Sequence, residues 1–460
     1  MSDILNDHHT ICAMATASGG AMGVIRVSGD NAIAIVDKTF VPASKQSLQD
    51  AKAQSVLYGY IQAEDRTVID EVLVSVFRAP HSYTGEDTVE ISCHGSAYII
   101  KEVLERLIRL GCRQALPGEF TQRAFLNGKM DLSQAEAVAD LISSTNKATH
   151  QLALGQLRGH FSDELRALRD KLLKITSLIE LELDFSDQDV TFANREELLL
   201  LAQHIKEKIT RLAQSFQTGC ALKSGVSVAI VGKTNVGKST LLNRLLKEER
   251  AIVSEIHGTT RDVIEDTMQI RGVTFRFIDT AGIRETNDKI ESLGIERTYR
   301  KLSEAAIVIW MIDASPTFSE IQEMEARVKG KKLIVVANKM DEKEVVLADY
   351  PWTIQSTFLA VSAKYNRNID LLEATIYHAA DIPEIHENDV IVTNARHYEA
   401  LLHAQESIGR VIEGIVTGLS GDLLSEDLRQ CIHQLSEITG GTITTSDVLN
   451  SIFKDFCIGK

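Results

Sequence analysis

One segment of the chain combines residue types at the spacing that phosphate binding requires: Gly232-Lys233-Thr234-Asn235-Val236-Gly237-Lys238-Ser239. It fits the pattern G-x-x-x-x-G-K-[ST], in which glycines let backbone N–H groups converge on phosphate oxygens. Lys238 would reach the terminal phosphates, and the Ser239 hydroxyl would hold Mg²⁺. The β-branched run 226–231 before the segment and the apolar run 240–246 after it predict a strand and a helix. This context favours a phosphate-binding loop over a plain glycine-rich turn.

Two further motifs concern the phosphates and their metal ion. Thr259-Thr260 lies in a polar loop, 254–262, where a threonine can close over Mg²⁺ and the γ-phosphate. Asp279-Thr280-Ala281-Gly282 follows a predicted strand, 275–278. Asp279 would hold the Mg²⁺ shell, and the Gly282 N–H would face the γ-phosphate.

Two more motifs concern the base. The Asp341 carboxylate, at the end of Asn338-Lys339-Met340-Asp341, can accept hydrogen bonds from N1–H and N2–H₂ of guanine, a donor pair that adenine lacks. A backbone N–H of Ser362-Ala363-Lys364 can meet guanine O6. Asp341 alone could be a helix cap, but the ordered series of motifs predicts GTP binding. The predicted GTP-binding residues are Asn235, Val236, Gly237, Lys238, Ser239, Thr240, Ser254, Glu255, Ile256, His257, Gly258, Thr259, Thr260, Asp279, Thr280, Ala281, Gly282, Asn338, Lys339, Asp341, Ser362, Ala363 and Lys364.

The hydrolytic device differs from that of Ras. Ile283 follows the Asp-Thr-Ala-Gly motif, whereas Ras and its relatives use a nearby glutamine to orient the attacking water. Arg261 and Arg284 are nearby, but neither is identifiable as an internal arginine finger. Two alternatives remain: a carboxylate within 285–296, or a monovalent cation held by Asn235. Asn235 could instead only shape the loop.

Composition limits the partners and the compartment. The 460-residue chain has a formal net charge of −15, which argues against an extended nucleic-acid surface. Any RNA contact must therefore be local or shared with a basic partner. Six cysteines are scattered without a C-x-x-C pair, which disfavours a zinc site or disulfide framework and fits a reducing cytoplasm. Because there is no signal peptide and no long apolar run, we expect no membrane span.

The elements that position these residues follow from periodicity. Residues 1–118 are expected to be mixed, with strands at 23–27, 72–77 and 88–93 and one helix, Ala97 to Leu110. Ser133-Gln134-Ala135-Glu136 has the pattern of a capping box. It would open the apolar run Ala137 to Ile142, and further helices are expected at 149–184, at 195–217, and in segments from Asn394 to Phe456. Strands of the nucleotide region are predicted at 226–231, 273–278, 307–312, 333–337 and 358–361.

These patterns predict a multidomain protein of α+β and α/β class. Residues 1–118 would form an N-terminal α+β domain, and 119–222 the first part of a discontinuous helical domain. An inserted, doubly wound parallel-sheet domain would cover 223–380, since strands and helices alternate there. Residues 381–460 would complete the helical domain, because insertions are tolerated where their ends lie close.

Several segments outside the nucleotide motifs are shared with a known family. They are Gly23–Gly29, Tyr83–Asp87, His94-Gly95, Pro117–Lys129, Asp131–Ala137 and the terminal Cys457-Ile458-Gly459-Lys460. With them the chain resembles, end to end, the tRNA modification GTPases of the MnmE (TrmE) family, within the Era/Der-like translation-factor superfamily. The phosphate loop has Thr234 where many relatives have proline. This is a variable position of the pattern, so we expect no loss of binding.

The resemblance implies a K⁺-activated, cytoplasmic GTPase. Its N-terminal domain would bind folate and mediate homodimerisation, and the dimer would join the flavin-dependent MnmG (GidA) in a heterotetramer that binds tRNA. Together they would place an aminomethyl or carboxymethylaminomethyl group on carbon 5 of the wobble uridine of certain tRNAs. The carbon would come from a tetrahydrofolate derivative, in its 5-formyl or 5,10-methylene form.

The resemblance also implies residue roles. Ser239 and Thr260 would bind Mg²⁺, and Glu291 would position the hydrolytic water. A K⁺ ion would replace the arginine finger when G domains pair across the dimer. Its ligands would be Asn235, Ser254, Ile256 and Thr259, and the folate contacts would be Arg26, Glu90, Lys129 and Lys460. Alternatively, Glu90 is an exposed strand carboxylate. Cys457 is either a reactive thiol or a small buried residue.

A second functional class shares the same G-domain motifs: a ribosome-assembly switch of the Era/Der type. A basic RNA-binding domain would then be expected after the G domain. The C-terminal region is instead helical and not conspicuously basic, which favours tRNA modification. A stand-alone folate enzyme is a third alternative, but the first 118 or so residues are few for a complete catalytic domain.

Overall fold

The computed structural model describes residues 9–17, 19–44, 46–184, 195–248, 266–278, 302–342, 357–383, 386, 389–441, 449, 452–453, 456 and 459. The chain forms two compact units. The first comprises Met1–Ser143, Ala153–Ile209 and Glu399–Lys460, and the second Ser144–Leu152 and Thr210–Tyr398. Among the described helices, none combines the length and the apolar composition that a bilayer span requires.

The first unit contains a seven-stranded sheet in the order β3-β4-β5-β6-β2-β1-β7. Its neighbouring strands are antiparallel except β1 and β7, which are parallel. The strands are β1 Ile11–Met14, β2 Met22–Ser28, β3 Phe40–Pro42, β4 Ser55–Gln62, β5 Val68–Phe77, β6 Thr88–His94 and β7 Arg113–Gln114. The three predicted strands are confirmed.

Helices α1 (Ala32–Asp37) and α2 (Ala97–Arg109) pack on one face of this sheet, against alternate strand residues such as Val74 and Ile91. The predicted α2 is confirmed, and Gly111 follows it with φ 115°. The shorter α1 was not predicted. Since strand residues alternate between faces, Arg26 and Glu90, which are directly paired in register on β2 and β6, lie on the opposite face.

In the described part of the chain between Glu119 and Ser224, five helices follow: α3 Glu119–Leu126, α4 Leu132–Ser143, α5 Lys147–Leu157, α6 His160–Asp184 and α7 Arg195–Ser224. The prediction of a single helix at 149–184 is wrong. The structure has two helices there, α5 and α6, because the helix is interrupted at Gly159, which has φ 91°. A residue with this φ cannot continue a right-handed helix.

The predicted capping box is also displaced. Ser133 lies inside α4, and Asp131 is the cap: its Oδ1 accepts from the Gln134 N–H at 2.9 Å. Gln134 Oε1 in turn accepts from the Asp131 N–H at 2.9 Å. Reciprocal bonds of this kind define a capping box, here two residues earlier than expected.

The second unit contains a six-stranded sheet in the order β13-β12-β11-β8-β10-β9. All neighbours are parallel except the edge pair β9–β10. The strands are β8 Val226–Gly232, β9 Asp266–Ile270, β10 Val273–Phe277, β11 Ile307–Ile312, β12 Lys332–Ala337 and β13 Thr357–Ala360. The five predicted strands are confirmed. Edge strand β9 was missed because three of its five residues are polar.

Helices cover both faces of this sheet, as the doubly wound arrangement requires. Helices α8 (Lys238–Glu248) and α10 (Ile369–Ala379) pack on one face, through residues such as Leu241 and Leu372. Helix α9 (Phe318–Arg327) packs on the other, through Ile321. The carboxyl ends of β8, β12 and β13 therefore lie along one edge, where nucleotides bind in such folds.

The start of α5 belongs to the second unit and contacts the β9–β10 hairpin through hydrogen bonds and apolar packing. The Asn146 side chain, 8% exposed, donates to Thr274 Oγ1 at 2.8 Å and accepts from the Thr149 N–H at 2.9 Å. The Gln269 side chain donates to the Thr145 carbonyl at 2.7 Å. Leu152 joins the same apolar cluster as the hairpin.

The last two described helices are α11 Ala395–Thr417 and α12 Gly421–Thr439. Helix α12 packs along α6 and α4 within the first unit. Near the C-terminus, Phe453 packs against Leu132 and Ala135 of α4. The helices predicted after Asn394 are confirmed as far as Thr439, and most of the predicted segment from there to Phe456 lies outside the described residues.

Candidate functional site

The phosphate loop joins β8 to α8, as its motif predicted. Gly232 and Gly237 have φ values of 155° and 98°. A Cβ at Gly237 would lie 2.3 Å from Asn338 Nδ2, and one at Gly232 would lie 2.4 Å from the Met311 carbonyl oxygen. The loop therefore needs glycine at both positions, for backbone conformation and for space.

Lys238 begins α8 and folds back over the loop. Its Nζ donates to the carbonyl oxygens of Gly232 at 2.8 Å and Lys233 at 2.7 Å. Burial lowers the pKa of Lys238 from its ordinary value. Its ammonium thus lies at the loop's carbonyl rim, the position from which a lysine reaches phosphate oxygens.

Asn338 connects the phosphate loop to the base-recognition segment. Its Nδ2 donates to the Val236 carbonyl at 2.7 Å, and its Oδ1 accepts from the Ala363 N–H at 3.0 Å. The side chain is buried, so these bonds are shielded from water. One residue therefore fixes the spacing between the phosphate site and the site for guanine O6.

Asp341 is prepared as an acceptor. A hydrogen bond from the Ser362 side chain holds the pKa of Asp341 below its usual range, so the carboxylate is ionised at neutral pH. Lys339 Nζ forms an ion pair with Asp313 at 2.9 Å. This ion pair directs the lysine to Asp313, so the lysine does not block the Asp341 carboxylate. An ionised carboxylate is the form that accepts the two guanine donors.

Sequence reasoning missed Arg244 of α8. Its Nε donates to the Ala363 carbonyl at 3.2 Å, and its Nη2 to the Lys364 carbonyl at 2.9 Å. It thus ties the phosphate-side helix to the base-side loop. No motif contains it, so only its position in the fold reveals the role.

Several predicted residues lie outside the described residues. They are Ser254, Glu255, Ile256, His257, Gly258, Thr259, Thr260, Asp279, Thr280, Ala281, Gly282, Glu291, Cys457 and Lys460. Within the described ranges, Ser239 and Thr240 lie in the first turn of α8, and Asn235 lies in the loop with φ 62°. Asparagine tolerates this left-handed conformation better than most residues.

Ser239 lies in the first turn of α8, where the phosphate-loop motif predicts a Mg²⁺ ligand. Mg²⁺ takes one or two protein oxygens and completes its shell with phosphate and water. No group of three or more His, Cys, Asp or Glu side chains with metal-binding geometry occurs in the described ranges. The donor set that a Mg²⁺–nucleotide complex needs is smaller than such a group.

The second predicted site is built around Arg26. Its Nε donates to Glu90 Oε1 at 2.8 Å, and the two side chains are 17% and 27% exposed. Arg26 Nη1 also donates to the Gly459 carbonyl at 3.3 Å. Gly459 therefore contacts Arg26, a residue far from it in sequence.

The backbone conformation and the close approach to Met14 require glycine at position 459. It has φ 94°, and a Cβ there would lie 2.0 Å from the Met14 carbonyl oxygen. Lys129 contacts a different segment: its Nζ donates to the Pro80 carbonyl at 2.9 Å, and its side chain lies beside Gly85.

Sequence reasoning also missed the aromatic residues at this site. The Arg26 guanidinium carbon lies 5.2 Å from the Tyr83 ring centroid and 5.6 Å from that of Phe120. The Tyr83 hydroxyl is within 2.8 Å of Thr121 Oγ1. Both aromatics stand in the segments that carry the family resemblance, which was the available signal.

Comparisons with known proteins identify families that this chain resembles. A family model described as the MnmE helical domain matches residues 132–457, and one described as the GTP-binding protein TrmE N-terminus matches residues 10–129. Among solved structures, the chain is similar to the FeoB G-domain of Methanococcus jannaschii, with 24% identity and a TM-score of 0.25 over 34% of this chain and 98% of that one.

Full-length relatives are closer. The tRNA modification GTPase MnmE of Bacteroides thetaiotaomicron is 56% identical over 464 residues, covering 98% of this chain and 99% of the relative. The protein of the same name from Phocaeicola vulgatus is 54% identical over 496 residues, covering 98% and 99%. The chain belongs to the MnmE (TrmE) family of tRNA modification GTPases.

Proposed function

We propose that this GTPase couples K⁺-activated GTP hydrolysis to modification of carbon 5 of the wobble uridine of certain tRNAs, using a tetrahydrofolate one-carbon unit. The group installed is of the aminomethyl or carboxymethylaminomethyl type, and the partner is a flavin-dependent MnmG protein. One observation carries the proposal: Arg26, Glu90 and the tail carbonyl of Gly459 converge on one sheet face. This gives the GTPase a second site, remote in sequence from its nucleotide motifs.

The folate assignment is supported by the chemistry of this site. A reduced folate carries carboxylates on its glutamate tail and an N–H donor pair on its pterin edge. Glu90 offers an acceptor to the pterin edge, and Arg26, bonded to Glu90 at 2.8 Å, lies at that same end of the folate. Lys129 offers a cation to the carboxylates of the glutamate tail. When bound, the folate supplies the one-carbon unit. The protein residues orient it, and Lys460 is a further folate contact in this proposal, with Cys457 as a candidate reactive thiol.

The hydrolysis assignment is supported by two sequence features: the absence of a glutamine after the Asp-Thr-Ala-Gly motif, and the presence of Asn235 in the phosphate loop. Ile283 cannot orient water, so Glu291 takes that role and K⁺ supplies the charge of an arginine finger. Asn235, with Ser254, Ile256 and Thr259, would hold K⁺, while Ser239 and Thr260 would hold Mg²⁺. Asn235 is exposed in the phosphate loop, three residues before Lys238, a position that suits an amide oxygen ligand for a cation at the phosphates.

Turnover in K⁺ and Na⁺ tests this assignment. We expect GTP hydrolysis to rise strongly when K⁺ replaces Na⁺, and Asn235→Gly to remove the rise. Glycine removes the amide but tolerates φ 62°, so it avoids the backbone strain that alanine would add. GDP affinity should stay within about threefold of wild type, since the N–H cradle is retained. Equal rates in both salts for the wild type would refute the cation mechanism.

A homodimer is supported by an exposed apolar face on the N-terminal sheet. Val56, Tyr58 and Leu73 are 62%, 47% and 44% exposed, and Tyr58 pairs directly with Leu73. This face is continuous with Arg26 and Glu90, since Leu73 pairs with Ser92, two residues from Glu90. A second copy would cover the patch and enclose the folate site.

The domain limits 1–118, 119–222, 223–380 and 381–460 are part of this proposal.

A cytoplasmic location is proposed on two grounds. The substrate tRNA is intracellular, and the five described cysteines are free thiols, as in reducing compartments. The formal net charge of −15 suggests that tRNA binds through the heterotetramer with the partner flavoprotein rather than through this chain alone.

Nucleoside mass spectrometry in a deletion strain tests the whole proposal. We expect the 5-substituted wobble uridine to disappear without this chain and to return with the wild type. An Arg26→Ala variant should not restore it, while an exposed control, Leu371→Ala in the second unit, should. Unchanged tRNA nucleosides together with altered ribosome profiles would refute the proposal and support an assembly switch of the Era/Der type.

A further inference from the structure

The guanidinium of Arg26 lies over aromatic rings as well as beside polar groups. Its carbon is 5.2 Å from the Tyr83 centroid and 5.6 Å from the Phe120 centroid. Both distances are within the range of cation–π attraction, which strengthens as the cation is desolvated. The Arg26 side chain is 17% exposed, so water screens the contact only in part.

The rings are themselves held in place. Phe120 is fully buried and packs with Ile11, Ala13 and Ala115, and Tyr83 packs against the same cluster. The Tyr83 hydroxyl is fixed by Thr121 at 2.8 Å. Burial raises the pKa of Tyr83, so the hydroxyl keeps its proton and its hydrogen bond at neutral pH. The ring therefore has little rotational freedom.

The edge of the guanidinium is fixed separately. Nε donates to Glu90 and Nη1 to the Gly459 carbonyl, which together engage two of the five N–H donors of an arginine. Edge bonds fix the group's direction, whereas a ring contact fixes the tilt of its plane. An arginine side chain has many rotamers, and restricting them before binding lowers the entropy lost when a ligand is bound.

We propose that Tyr83 is a positioning residue of the one-carbon site: its ring sets the plane of the Arg26 guanidinium, so that the remaining N–H donors meet the bound reduced folate. This role rests on the proposed folate site. Tyr83 is not expected to contact the reacting carbon. The competing explanation is that Tyr83 only packs the domain, in which case stability and affinity would fall together.

Binding of 5-formyltetrahydrofolate to the full-length protein, measured by calorimetry beside thermal unfolding, separates the two. Tyr83→Phe keeps the ring, and we expect its affinity to stay within about twofold of wild type. Tyr83→Leu removes the ring, and we expect affinity to fall about 3- to 10-fold, the range expected when one side chain must be ordered on binding instead of beforehand. Tyr98→Leu, at a tyrosine 68% exposed on α2, is the matched control and should bind normally.

A double-mutant cycle with Arg26→Lys tests the coupling. Lysine lacks the planar group that stacks on a ring, so Tyr83→Leu should add little loss to Arg26→Lys, within about twofold. Should Tyr83→Leu not fold, Tyr83→Met replaces it with the same expectation. Normal affinity in the folded Leu or Met variant, or additive losses in the cycle, would overturn the role of Tyr83. A wild type that does not bind the folate would refute the folate site itself and this role with it.

Discussion

At the scale of single residues, the nucleotide site depends on side chains that serve two partners. Asn338 bonds the Val236 carbonyl and the Ala363 N–H, so it links the phosphate and base segments. Ser362 similarly prepares Asp341 by donating to its carboxylate. The motifs predicted contacts to GTP at these positions. The contacts of these residues with one another became visible only in the structure.

The Ser362–Asp341 bond predicts a pH effect. This bond keeps the pKa of Asp341 below its usual range, so Asp341 stays ionised as the pH falls. Ser362→Ala removes the donor, the pKa rises toward its ordinary value, and the carboxylate is protonated at a higher pH. We therefore expect GDP affinity to decline at a higher pH than in the wild type, with little change at neutral pH. Titrating a fluorescent GDP analogue from pH 7.5 downward checks this.

Thr375→Ala is a suitable control, since it removes a hydroxyl of the same unit that bonds the Leu371 carbonyl, away from Asp341. Its pH profile should match the wild type. Identical profiles for Ser362→Ala and wild type would show that the hydrogen bond does not govern the ionisation of Asp341.

At the scale of elements, the short segment at the start of α5 connects a helix terminus to the β9–β10 hairpin. Asn146 caps this helix and also reaches Thr274 of β10, so one side chain joins a helix terminus to the edge hairpin. The segments 249–265 and 279–301, which flank this hairpin in sequence, contain most of the predicted phosphate-sensing residues.

Asn146→Ala should loosen the hairpin. Loss of the cap costs about 0.5–2 kcal/mol, and loss of the bond to Thr274 about 0.5–1.5 kcal/mol. We expect faster hydrogen–deuterium exchange across 266–277 and a lower unfolding temperature for the second unit. Asn146→Asp is the matched variant: it keeps the cap but cannot donate to Thr274, so its effect should be smaller. If exchange of the hairpin is unchanged in Asn146→Ala, the contact is dispensable.

At the scale of the whole molecule, the exposed apolar residues of the N-terminal sheet matter for the proposed homodimer. Val56, Tyr58 and Leu73 lie on one sheet face and are all exposed, and large exposed apolar patches are typical of interaction sites. In the proposed homodimer, this patch would be covered by the second copy.

Leu73→Glu should weaken that dimer, because it would bury an unpaired carboxylate. We expect sedimentation velocity at micromolar concentration to show mainly monomer, with the wild type mainly dimer. Leu371→Glu, at a leucine 52% exposed in the second unit, should leave the dimer intact. A dimeric Leu73→Glu protein would place the interface elsewhere.

The sequence by itself predicted most of the second unit. Its parallel strands are continuous apolar runs and its motifs are local, so short windows contained the needed information. The failures were local too. Gly159 broke a helix through its backbone conformation, and Asp131 took the capping role assigned to Ser133. Strand β9 has too few apolar residues to stand out.

Only the tertiary structure brought Arg26, Tyr83, Glu90, Phe120 and Gly459 together. The family resemblance had named Arg26 and Glu90, but no pattern in the chain relates them to the aromatic rings or the tail carbonyl. Their proximity results from strand order in the sheet, from the packing of α3, and from a glycine that lets the tail approach Met14. Such long-range contacts depend on how elements pack, whereas motifs and periodicity report only on residues close in sequence.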